Sequence, residues 1–107
     1  MVPPTIVVWY DVFMLEKDFQ AKVIKYLKSK GCFTWKMQEN ATTQSGVADI
    51  FFCIDCFYGF IECKRSRNAK MRPGQKEFIE KMNNWSWAKV CYPENWEETK
   101  EELDFLL

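Results

Sequence analysis

The chain has 107 residues, 48% hydrophobic and 17% aromatic, with 15 basic residues balanced by 15 acidic ones and no histidine. That is enough to close one core and far from a disordered composition, so a single domain over 1–107 is expected. No apolar run is long enough to span a bilayer, and the start lacks the basic region and cleavage pattern of a secretory signal, so a cytoplasmic protein is expected.

Residues 1–13, with Pro3-Pro4 followed by TIVVWY, read as an extended arm or a short strand. Phe19, Val23, Tyr26 and Leu27 recur at helical spacing and predict a helix over 16–29, which Gly31 is placed to end. The short aromatic alternation of 32–37 predicts a strand, and the small polar run QENATTQS (38–45) a loop. Both arms of 49–64 are rich in Ile, Phe, Tyr and Cys, which predicts a β-hairpin with turn chemistry from Asp55 and Gly59. A basic loop, 65–74, then leads into a helix over 73–83 with Phe78, Ile79 and Met82 on its apolar side. A fourth strand is predicted over 87–92, stopped by Pro93. Asn95 is expected to cap a last, acidic helix over 96–106, with Trp96, Leu103 and Leu106 turned inward. The order α-β-β-β-α-β-α predicts an α/β fold, a mixed β-sheet flanked by helices.

The neutral total hides an uneven charge distribution. Residues 64–76 carry Lys64, Arg65, Arg67, Lys70, Arg72 and Lys76 without one acid, whereas the tail from Glu94 is acidic. The basic run suits contacts to phosphates, and the ordinary reading of any charge run is a solvated surface. The five cysteines have irregular spacing and read as reduced core thiols. Cys53-x-x-Cys56 invites a zinc reading, but without histidine or a second such pair it is taken as packing.

The sharpest feature is GVADIFFCIDCFYGFIECK, 46–64, an apolar hairpin with Asp49 at one end and Glu62 and Lys64 at the other. Residues two apart in a strand share a face, so Glu62 and Lys64 project together, and antiparallel pairing brings Asp49 beside them. Two converging carboxylates repel unless a cation lies between them, and a hard divalent ion takes oxygen ligands of this kind. A lysine beside them can orient a water and stabilise charge on a phosphate. These are the parts of metal-assisted phosphodiester hydrolysis. Glu98-Thr99-Lys100 has the same spacing but falls in a predicted helix, where the two side chains diverge.

Glu16 in a first helix, Gly-x-x-Asp at 46–49, Glu-x-Lys at 62–64 and Gln75 opening the next helix together resemble the VRR-NUC family. That family is a branch of the PD-(D/E)XK nuclease superfamily, common as small stand-alone phage proteins, and the resemblance runs over 16–92. It implies a restriction-endonuclease-like core and a Mg²⁺-dependent endonuclease, with Mn²⁺ able to substitute. It also implies branched, flapped or four-way-junction DNA as substrate, and a homodimer. By position, Asp49, Glu62 and the Cys63 carbonyl resemble the metal ligands, joined by Glu16, directly or through water. Lys64 resembles the lysine acting on water or phosphate, and Gln75 the glutamine beside the centre. Ala48 departs from the proline usual in the family at that position. Arg65, Arg67, Lys70 and Arg72 are candidate DNA-backbone contacts, with Lys36 and Gln20 weaker site candidates. No recognition helix or zinc finger points to sequence-specific reading.

Other readings stand beside this one. Asp49 can be a strand-start residue and Glu62–Lys64 a charge pair guarding a sheet edge. Glu16 can complement the helix dipole. The chain can be a non-catalytic DNA-binding or phage adaptor protein on the same fold. Trp85, Trp87, Trp96 and the N-terminal arm are the surfaces considered for a dimer.

Overall fold

The computed structural model describes residues 15–37 and 46–107. The expected arm over 1–13 and the expected loop over 38–45 lie outside the described residues. Within them run α1 (Glu16–Ser29), β1 (Phe33–Lys36), β2 (Ile50–Ile54), β3 (Phe57–Cys63), α2 (Gln75–Trp85), β4 (Trp87–Cys91), a 3₁₀ turn (Pro93–Asn95) and α3 (Trp96–Leu106). The sheet order is β1-β2-β3-β4. β1–β2 and β2–β3 are antiparallel, while β3–β4 is parallel because α2 carries the chain back across the sheet. The architecture is therefore α/β with a mixed sheet flanked by helices, in the expected order. Among the described residues no helix is long and apolar enough to cross a membrane.

Strand alternation divides the sheet into two unlike faces. Ile50, Phe52, Ile61 and Cys63 turn to one side, where Phe19, Val23 and Leu27 of α1 and Trp96 and Leu103 of α3 close the core over them. Each such fully buried side chain contributes about 1.5–3 kcal/mol. The other face carries Phe51, Tyr58 and Phe60, and α2 covers only its β3–β4 half, through an edge-to-face contact of Phe78 with Phe60 at 5.2 Å. α1 ends as its sequence requires: Gly31 takes φ +88°, and the Cys32 N–H folds back onto the Leu27 carbonyl.

Four local expectations need correction. Gly59 is not a turn residue; Asp55, at φ 51°, makes the turn, and Gly59 lies inside β3. A Cβ at Gly59 would stand 2.7 Å from Phe52 Cζ, so the glycine makes room for an aromatic ring. The second helix starts at Gln75 rather than Pro73, because Gly74 takes φ +85°, and it runs on to Trp85. Asn95 precedes α3 but does not cap it: its side chain accepts from Tyr92 N and donates to the Val90 carbonyl, tying the turn to β4. Leu106 is 40% exposed, near the helix end, while Trp96 and Leu103 are buried. Trp87 and Trp96 are core residues and so drop out as surface aromatics; Trp85 is exposed.

Candidate functional site

The hairpin register pairs Ile50 with Ile61, so Asp49 and Glu62 meet one step beyond the last paired residues. There the two carboxylates take over from the backbone ladder. Cys63 N–H donates to Asp49 Oδ2 at 2.9 Å, and Asp49 N–H donates to Glu62 Oε1 at 3.1 Å. Glu62 Oε2 accepts from Gln75 Nε2 at 2.8 Å and pairs with Lys64 Nζ at 3.1 Å. Lys64 Nζ also donates to Gln75 Oε1 at 2.9 Å, and the same oxygen accepts from Arg72 N at 2.7 Å. Gln75 thus ties lysine and carboxylate together, and it does so while wholly buried at the first turn of α2.

Two features hold this end of the sheet in place. Gly46 sits at φ +90°, and a Cβ there would lie 2.6 Å from the Gly74 carbonyl carbon. The Gly-x-x-Asp spacing therefore lets one backbone touch the other just where Gln75 enters. Gln20, buried on α1 one turn after Glu16, hydrogen-bonds the Asp49 carboxylate from the core side. Sequence spacing placed Gln20 on the face of Glu16; its reach to Asp49 depends on how α1 lies across the sheet.

Burial and mutual repulsion disfavour charge on all three acids. Desolvation raises Asp49 above its ordinary value, against the Cys63 N–H, Arg72, Lys64 and Gln20. Desolvation and then the Asp49 charge raise Glu62, against Lys64 and Gln75. Glu16, the first residue of α1, is raised by partial burial and by Asp49, against Lys64 and Arg72. Three acids thus share two cations, and the donors are all oxygen. In charge and donor type this fits a hard divalent ion. Among the described residues, however, no group of three His, Cys, Asp or Glu side chains is gathered closely enough to hold a metal. The cause is visible at Glu62, both of whose oxygens are engaged by neighbours.

The expected DNA contacts separate. Arg72 lies close enough for its charge to act on Asp49 and Glu16. Arg67 is drawn to the β4–α3 junction, its N–H on Glu94 and its guanidinium 5.9 Å from the Tyr92 ring centre. Arg65 and Lys70 are exposed on the loop, and Lys36 is exposed on β1. Glu98 and Lys100 stand on α3, where Lys100 pairs with Glu97 instead. The cysteines are free; Cys32, Cys63 and Cys91 are buried, but Cys56 is exposed at the hairpin turn and is not packing. Comparison with protein-family models finds none that matches this chain, and comparison with curated proteins and with solved structures finds no match either.

Proposed function

We propose that the chain is a metal-dependent endonuclease that hydrolyses DNA phosphodiester bonds, on a restriction-endonuclease-like core of the VRR-NUC kind and of phage or prophage type. The observation that carries the reading is the meeting of Asp49, Glu62 and Lys64 around Gln75 at one end of the sheet. Asp49, Glu62 and the Cys63 carbonyl would hold Mg²⁺ or Mn²⁺, with Glu16 completing the set. Bound there, the ion supplies a water of lowered pKa and charge for the phosphate oxygens. Lys64, held by Gln75 Oε1, aims its ammonium at the anionic group that enters beside Glu62. Gln75 also fixes Glu62, and Gln20 fixes Asp49, so the ligand oxygens stay oriented without the metal. Arg72 adds charge at the site, while Arg65, Lys70 and Lys36 suit contacts to phosphates further along. These contacts read no bases, in keeping with cutting selected by DNA shape. A homodimer would present two such sites to a four-way junction.

The test is cleavage of labelled linear, flapped and four-way-junction DNA with Mg²⁺, Mn²⁺ or EDTA. Cutting is expected with either metal and not with EDTA, and it should be lost in Asp49→Asn and Lys64→Ala. Wild-type protein that binds but never cuts any of the three would end the reading. That outcome belongs to the second reading, a non-catalytic DNA-binding or adaptor protein. What favours the second reading is the full engagement of both Glu62 oxygens by protein donors.

A further inference from the structure

The half of the sheet that α2 leaves bare carries aromatic rings where a solvated antiparallel face would ordinarily carry polar residues. Phe33 is 56% and Trp35 60% exposed on β1. The register sets Trp35 opposite Phe51 and Phe33 opposite Cys53, on the same sheet face as Phe60, Glu62 and Lys64. This row leads to the site. Met37 N–H donates to the Asp49 carbonyl at 2.6 Å, so β1 delivers its aromatic residues within two positions of the carboxylates. Phe33 and Trp35 are two residues apart, about 7 Å along a strand, close to one nucleotide step of an extended single strand. Their rings meet edge to face at 6.3 Å, so neither ring lies flat on the other. Lys36 is exposed at the end nearest the site.

We propose that Phe33, Trp35 and Phe51 form a stacking platform for unpaired nucleotides, leading a single strand into the Asp49–Glu62–Lys64 site. The proposal rests on the reading of that site as one that acts on DNA. An apolar floor with its cation at the site end suits a ligand of flat apolar rings on an anionic backbone. Every base has such a face, so stacking here is tolerant of sequence. A second copy of this chain would lay one uncharged aromatic floor on another and leave Lys36 unused. The preferred DNA would then have an unpaired strand meeting a duplex, with the strand on the sheet and duplex phosphates toward the basic loop.

The experiment is fluorescence anisotropy of a labelled oligo-dT and a blunt duplex with the full chain in EDTA, so that nothing is cut. Trp35→Ala should weaken oligo-dT binding by roughly 5- to 150-fold, the loss of one stacked base, and leave duplex binding unchanged. Trp35→Phe should restore most of the affinity, which a merely structural defect would not allow. Equal binding of oligo-dT by Trp35→Ala and wild type overturns the proposal, as does wild type that does not bind it. A wild-type dimer in sedimentation that Trp35→Ala breaks also overturns it, in favour of a second copy on this face. The two readings fail separately: platform-dependent binding without cleavage removes the nuclease, and cleavage with unchanged oligo-dT binding removes the platform.

Discussion

Glu62 with Lys64 and Glu102 with Lys89 are built almost alike. Each pairs a carboxylate with an ammonium, at 3.1 and 2.9 Å, and each carboxylate takes a further N–H, from Gln75 at 2.8 Å or from Trp87 Nε1 at 2.7 Å. Their carboxyls nevertheless move in opposite directions. Glu62, 2% exposed, is raised by burial and by Asp49, whereas in Glu102 slight burial is outweighed by the bonds from Trp87 and Lys89, and it is lowered. Partner geometry does not decide what such a pair does; access to water does. The outer pair adds a little stability. The inner one is a charge kept where charge is unfavourable, which is how sites of chemistry are built more often than how folds are stabilised.

That contrast can be broken at several points. Lys64→Met would leave Glu62 buried beside Asp49, and should cost about 3–5 kcal/mol in urea unfolding. Adding Glu62→Gln should return much of the loss, because the amide still accepts from Gln75 and Asp49 N. A single-variant cost under about 1 kcal/mol would mean that the pair is not the charge trap described. Gly46→Ala should cost about 1–3 kcal/mol for its backbone angle, with more for the contact on Gly74, read as a fall in thermal midpoint. An unchanged midpoint would show that the two backbones part easily.

The opposite shifts also predict opposite pH trends. Asp49 and Glu62 are raised above ordinary values of 3.8 and 4.5, so the folded state holds their protons more tightly. Their contribution is favourable below those values and is lost as pH rises through the raised ones. Glu102 is lowered, so its contribution is present above 4.5 and is lost as pH falls through the lowered value. Asp49→Asn should therefore flatten the alkaline side of the stability profile and Glu102→Gln the acid side. If the inner acids hold Mg²⁺, millimolar Mg²⁺ should raise the wild-type midpoint at pH 8 and leave that of Asp49→Asn unmoved. The smallest effect is expected from Lys89→Ala, about 0.2–1 kcal/mol and weaker at high salt, read by the same unfolding assay.

Much of this was legible in the chain because it depends on short periods. Alternation in 49–64 gives the hairpin, and hairpin pairing alone brings Asp49 to Glu62. Phe19, Val23 and Leu27 mark the buried face of α1 for the same reason. What stayed hidden depends on elements that meet only in three dimensions. Gly59 looked like a turn residue because its use, leaving space for Phe52, is a contact across strands. Asn95 looked like a cap, yet β4 offered its side chain better partners. Nothing in the sequence shows that Gln75 bonds Glu62 and Lys64 at once, since that requires the β3–α2–β4 crossover to close. Leu106 kept its helical spacing, but α3 has no neighbour at its last turn to cover it.

The crossover has a consequence for the order of assembly. The β2–β3 hairpin joins residues close in sequence and can form in microseconds, whereas the parallel β3–β4 pairing waits until α2 has folded back. Asp49 and Glu62 can therefore meet early, still hydrated, and lose their water when Gln75 arrives. Gln75→Leu should accordingly speed unfolding and leave the refolding rate nearly unchanged, which stopped-flow measurement of both rates would reveal. The candidate site would be the last part of the molecule to close and the first to open.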